Sequence, residues 1–333
     1  MRTPLSVPLL LACSLLAATA QAAPSGTVFT ANERGNSISQ LDLATGSVAT
    51  VAVDIAPHNV QVTPDGKRLL AVGMNPHAGH HGSGSTAGEL LVFDLPLGAR
   101  PTFRLPVAGH PGHVITDAGS NTAFVSDASN NAVQVYDLAS RRHRASIRTG
   151  AYPHGLRLSP DGKSIYVANM QDNTVSVLDV AARREVARIA VGKAPVQVGF
   201  APDGKQAYVS LSADNALGLI DTARRMLSGT VKVGRTPIQM MATPDGRQVF
   251  VANQGSRQQP DDRVTVVDPQ AGSVIAEVST GPGAHGVAIS SDGQYVFVSN
   301  IESATVSVID SAQHKVVASY PVGAGPNGIS YRD

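Results

Sequence analysis

An aspartate closing a short run of alternating apolar and polar residues recurs at Asp42, Asp94, Asp137, Asp179, Asp221, Asp268 and Asp310, with separations of 52, 43, 42, 42, 47 and 42 residues. This period constrains the fold more than any composition value. A unit of about 40 to 50 residues is one supersecondary element, and it can bury its apolar faces only against neighbours like itself. The unit is clearest from Gly150 to Gly192. Segments around Leu156, Tyr166, Val175 and Val186 alternate apolar with polar residues between turn residues, which predicts four half-buried strands. An inner strand from His154 to Ser159 is expected to turn tightly at Pro160-Asp161-Gly162-Lys163, because proline presets one turn angle and glycine accepts positive φ. Second and third strands are expected at Ser164 to Asn169 and Thr174 to Asp179.

Seven such units predict an all-β chain: a seven-bladed β-propeller with four antiparallel strands per blade, spanning residues 24–333. The two ends of this span complement each other. Thr27 to Val53 supplies only second, third and fourth strands, while Pro326 to Arg332 supplies a lone inner strand. One C-terminal and three N-terminal strands would therefore complete one blade and remove the open sheet edges.

Met1 to Ala22 reads as a signal peptide. Arg2 precedes an apolar run from Leu5 to Ala18, and Ala20-Gln21-Ala22 is a small-x-small cleavage site. A periplasmic or secreted protein is expected. Cys13, the single cysteine, lies in this segment, so the mature chain would carry no thiol or disulfide. A lipoprotein anchored through Cys13 is disfavoured because Ser14 to Ala18 stays hydrophobic where a polar tether is usual. No membrane span is expected. Lys and Arg number 26 against 25 Asp and Glu, with no tryptophan, which argues against nucleic-acid binding. No nucleophile elbow, phosphate loop or dinucleotide fingerprint is visible.

Second strands read FTAN, FVSD, YVAN, YVSL, FVAN and FVSN from Phe29, Phe124, Tyr166, Tyr208, Phe250 and Phe297, with PDGK or PDGR turns at Pro64, Pro160, Pro202 and Pro244 and third strands of the VSVLD and VSVID type. In these motifs the mature chain resembles the YVTN family of bacterial and archaeal seven-bladed propellers, including the YncE-like periplasmic proteins. It departs at Leu70 to Gly73 and at Asp117 to Ser120. The resemblance implies the architecture; the family is functionally mixed, so it does not imply one activity.

The chemistry-bearing residues sit between blades. Each inner strand starts near a proline or glycine, and this repeat places His58, His154 and His285 at equivalent positions around the channel mouth, with His113 one residue further along, level with Gln197 and Gln239, and His110 nearby. Neutral imidazoles from separate blades would suit zinc or copper; a protonated cluster would suit an anion; polar lining of a hydrated channel is the plain alternative. The second unit's insertion, Met74 to Glu89, adds His77, His80 and His81 on the same face, and Met74 and Met170 would suit copper(I). Lys193, Arg235, Arg257 and Arg263 lie on the opposite arc. Should the site be catalytic, His154 or His285 would act with Glu33, Asp127 or Glu302 as metal-binding carboxylate or general base. Three functions follow: a binding protein presenting a metal ion or small-molecule ligand to a periplasmic partner, a metal-dependent lactonase- or lyase-like enzyme as related propellers imply, or a pure interaction scaffold.

Overall fold

The computed structural model describes residues 23–76 and 88–333. Met1 to Ala22 and the loop histidines His77, His80 and His81 lie outside the described residues. Seven four-stranded antiparallel sheets surround a central channel. In the fourth blade the strands are Pro153–Leu158, Ser164–Asn169, Thr174–Asp179 and Arg184–Ala190. The inner strand thus lies one residue earlier than its sequence pattern suggests, because Ser159 already belongs to the turn: its N–H donates to Ser164 O. The first blade is completed as expected, with Pro326–Arg332 paired antiparallel to Thr27–Asn32.

Each blade's two faces are covered by its neighbours. Seven apolar clusters lie between successive blades, such as Tyr166, Val175 and Ile189 against Val198, Val209 and Leu211. The ring therefore behaves as seven interdependent interfaces rather than one central core.

The repeated motif has a physical explanation. The asparagine ending the second strand is fully buried at Asn32, Asn169, Asn253 and Asn300. Its amide donates to third-strand hydroxyls, as Asn300 does to Thr305 Oγ1 at 3.0 Å and Ser307 Oγ at 2.9 Å. The aspartates that mark the period accept backbone N–H groups of the following hairpin, Asp179 from Ala182 at 2.7 Å and Asp221 from Arg224 at 2.8 Å. Asn300→Ala is expected to lower stability by about 1–3 kcal/mol, since it strands buried hydroxyls. Chemical denaturation of the variant reads this directly, and an unchanged midpoint would show that the amide network contributes nothing.

One feature of every inner strand sets up the site. Pro153 pairs with Asn169 but Leu156 with Val167, so His154 and Gly155 together oppose one residue. The register breaks at the corresponding place in each of the other blades, at Gly112-His113, Val196-Gln197, Ile238-Gln239, His285-Gly286, Asn327-Gly328 and at His58. A bulge re-aims side chains that strict alternation would send to opposite faces. Three bulges are held by the serine of the second strand: Ser126, Ser210 and Ser299 accept the N–H of His113, Gln197 and Gly286 at 2.9, 3.0 and 2.9 Å.

Candidate metal centre

Through these bulges the histidines of three neighbouring blades meet at the channel mouth. The ligand atoms of His58, His113 and His154 all lie within 4.8 Å of one another. Their rings pack edge to face, with centroids 5.2 Å apart for His58 and His154, 4.8 Å for His113 and His154 and 5.6 Å for His58 and His113. His113 is a second bulge residue and His154 a first, yet the bulge brings both to the same cluster.

The hydrogen-bond network assigns the tautomers. His154 Nδ1–H donates to Val196 O at 3.1 Å, leaving the Nε2 lone pair inward. His58 Nδ1 lies 3.2 Å from Glu33 Oε1, and the other carboxylate oxygen accepts from Asn327 Nδ2 at 2.6 Å. The Asn327 amide also lies 3.1 Å from His58 Nδ1, but its short bond to Glu33 leaves the imidazole to donate to the same carboxylate. His58 Nε2 then faces His154 Nε2 at 3.1 Å. Two lone pairs at that distance repel unless a cation or a proton lies between them. A carboxylate holding the far nitrogen of an imidazole is the usual support of a metal-binding histidine. Tetrahedral zinc, with Zn–N bonds of about 2.0–2.1 Å, sets ligand nitrogens ~3.3 Å apart, so the observed spacing fits.

Burial and mutual proximity keep most of the cluster neutral. Desolvation, then the His58 charge, lowers His154 to about 3. The same two causes lower His285 to about 4, and burial with its histidine neighbours holds His113 well below the usual imidazole value. For Glu33, burial alone would raise the carboxyl, but hydrogen bonds from His58 and Asn327 and the charge interactions with His58 and His285 outweigh it and hold it at about 2. His113, His154 and His285 are therefore neutral imidazoles beside one anionic carboxylate.

The remaining candidates divide. His285 Nδ1–H donates to Asn327 O at 3.0 Å, which ties it to the Glu33 side of the channel rather than to the three-histidine group. His110 lines a cavity of about 50 Å³ with His58, Tyr152 and His154. The Asp127 carboxylate is buried and engaged by His110 N–H at 3.1 Å, Asn130 Nδ2 at 2.7 Å and Gln134 Nε2 at 3.0 Å. It does for its blade what asparagine does in four of the others. Glu302 is held by a two-pronged pair with Arg34 at 2.6 and 2.8 Å. In the loop between Asn253 and Arg263, Asp261 is buried and paired with Arg263 and with Arg235, which precedes the inner strand of that blade. Asn327, which bonds both Glu33 and His285, was the residue of this cluster least visible in the chain, although its place in the repeat, equivalent to His58, His154 and His285, carried the signal.

A family model described as "YNCE-like beta-propeller" matches residues 110–206, 164–261 and 188–333. No curated protein sequence matches the chain. Among solved structures, hydrazine synthase of Kuenenia stuttgartiensis superimposes with a TM-score of 0.71 at 21% identity, covering 82% of this chain and 89% of that one. A functionally unknown protein from Desulfotomaculum acetoxidans gives 0.75 at 16%, covering 92% and 99%. A Bacteroides fragilis protein provisionally assigned as a 6-phosphogluconolactonase gives 0.72 at 15%, covering 92% and 98%. At these identities the likeness concerns the fold alone.

Proposed function

Because the chain belongs to the YNCE-like β-propeller family, as the match across residues 110–333 shows, we propose that it acts as an exported periplasmic protein that binds one transition-metal ion, zinc or copper, at His58, His113 and His154. The observation that carries this reading is the 3.1 Å approach of two inward Nε2 atoms whose far nitrogens are anchored on Glu33 and on Val196 O. Glu33 also offsets the cation's charge from the second layer. The cavity beside the histidines, about 50 Å³, has room for an ion with a few waters.

The test is zinc titration by calorimetry on tag-free mature protein, with metal analysis of the product. One equivalent bound is expected, and a protein that takes up neither zinc nor copper sinks the proposal. Glu33→Gln should keep the stoichiometry and weaken zinc affinity about 10- to 100-fold, the usual cost of losing a carboxylate behind a ligating imidazole. Unchanged affinity in that variant would mean that Glu33 supports the ring structurally and not the metal.

A further inference from the structure

We propose that the opposite mouth of the channel is a second binding site, for a small organic carboxylate with an apolar body, held by Arg157. The bulged histidines lie near the start of each inner strand; three residues on, roughly 10 Å deeper at strand rise, Arg157 opens into a cavity of about 310 Å³ near the Pro64 turn. Among the described residues no carboxylate or hydrogen-bond acceptor engages the guanidinium, and burial alone pulls its pKa down. An arginine left unpaired in a channel is costly unless something anionic meets it.

The rest of the cavity points to the ligand's chemistry. Thr116 lines it, and Thr116 Oγ1 is a buried hydroxyl without a partner. Ser330 lines it too; its Oγ accepts Val62 N–H at 3.0 Å, so its own proton is free to donate. Three uncommitted donors thus share a wall with no acidic side chain. Ile115, Met241, Val287 and Ile329 make much of the remaining surface apolar. One cation with two hydroxyls suits a carboxylate monoanion, and the aliphatic wall suits a carbon chain, whereas a phosphate dianion would call for a second cation. Placed at this level in the seven inner strands, the residues include Gln61, Ile115, Arg157, Met241, Ala288 and Ser330, so Arg157 is the one charged choice among them and no structural demand of the repeat explains it.

The Arg157 charge reaches His113, but the carboxylate test is separable from the metal assay because it reads a different ligand. Melting temperature and calorimetry on the mature protein would be followed with hexanoate, with hexanamide as the neutral isostere, and with inorganic phosphate. Hexanoate is expected to raise the melting temperature with concentration and hexanamide to leave it unchanged. In Arg157→Gln the affinity for hexanoate should fall about 10- to 100-fold, the loss of a charge-assisted bond, and Thr116→Val should weaken it severalfold while preserving shape. Arg157→Met should melt about 2–4 °C above the wild type without ligand, since it removes an unpaired charge. His154→Ala should keep the full hexanoate response. The proposal is overturned by a wild type indifferent to hexanoate, by an equal response to hexanamide, by tighter binding of phosphate, or by hexanoate affinity that survives in both Arg157→Gln and Thr116→Val.

Discussion

His154→Ala is expected to reduce zinc affinity by at least roughly a hundredfold while leaving the propeller folded. Zinc held by four protein ligands has an apparent binding energy of about 10–16 kcal/mol, so each ligand accounts for ~3 kcal/mol, which is about a hundredfold in affinity. His154 supplies the inward Nε2 that faces His58 at 3.1 Å, and its removal leaves no atom in that direction. The fold should survive, because the Pro153–Leu158 strand keeps its ladder to Ser164–Asn169 and the lost side chain faces the channel. His314 provides the control: it reaches Gln248 at 3.3 Å, away from the channel histidines, and His314→Ala should bind zinc as the wild type does. Equal zinc binding by His154→Ala and wild type would refute the centre.

Deleting Asn327 to Asp333 is expected to unfold the whole ring. The lost segment is all but the first residue of the first blade's inner strand, Pro326–Arg332, and its residues pair with Thr27, Val28, Phe29 and Thr30. Its Ile329 is buried in the interface between the seventh and first blades, and Tyr331 stacks on Phe297 with centroids 5.0 Å apart. Without it, Thr27–Asn32 becomes an open edge and two neighbouring interfaces lose their central layer. Domain stabilities are about 5–15 kcal/mol in total, and the loss of several buried side chains with a strand ladder is of that order. Circular dichroism should show lost β-structure or aggregation at 25 °C. A truncated protein that melts as the full chain does would mean that the ring closes through other contacts.

Much of this was legible in the chain because it repeats. Strands such as Ser164–Asn169 and Thr174–Asp179 carry period-two patterning between strong turn residues, and local chemistry of that kind survives folding nearly unchanged. The pairing of the two ends could be read from the missing strands. The convergence of His58 and His154 followed from repeat equivalence alone. Less could be seen of Asp127 and Glu302: both lie at or just after a second strand, yet Asp127 closes a buried network with Gln134 and Glu302 is clamped by Arg34. Arg34, the partner of Glu302, stands 268 positions away, and Asn327, a partner of Glu33, 294 positions away, and no spacing rule reveals them. Arg157 stood in plain view as the one cation at its level of the inner strands, but only the cavity around it shows that nothing pairs with it.

The sequence by itself determined the blade, its seven-fold repetition and the level of the channel at which the histidines stand, because periodicity, turn chemistry and repeat equivalence are local properties summed along the chain. The tertiary structure decided which histidines share a centre and which do not. That choice rests on the bulge in each inner strand and on the anchoring of the far nitrogens of His58, His154 and His285 by other blades. Both depend on backbone register and on neighbours distant in sequence, where a shift of one residue turns a side chain from the site toward the opposite face.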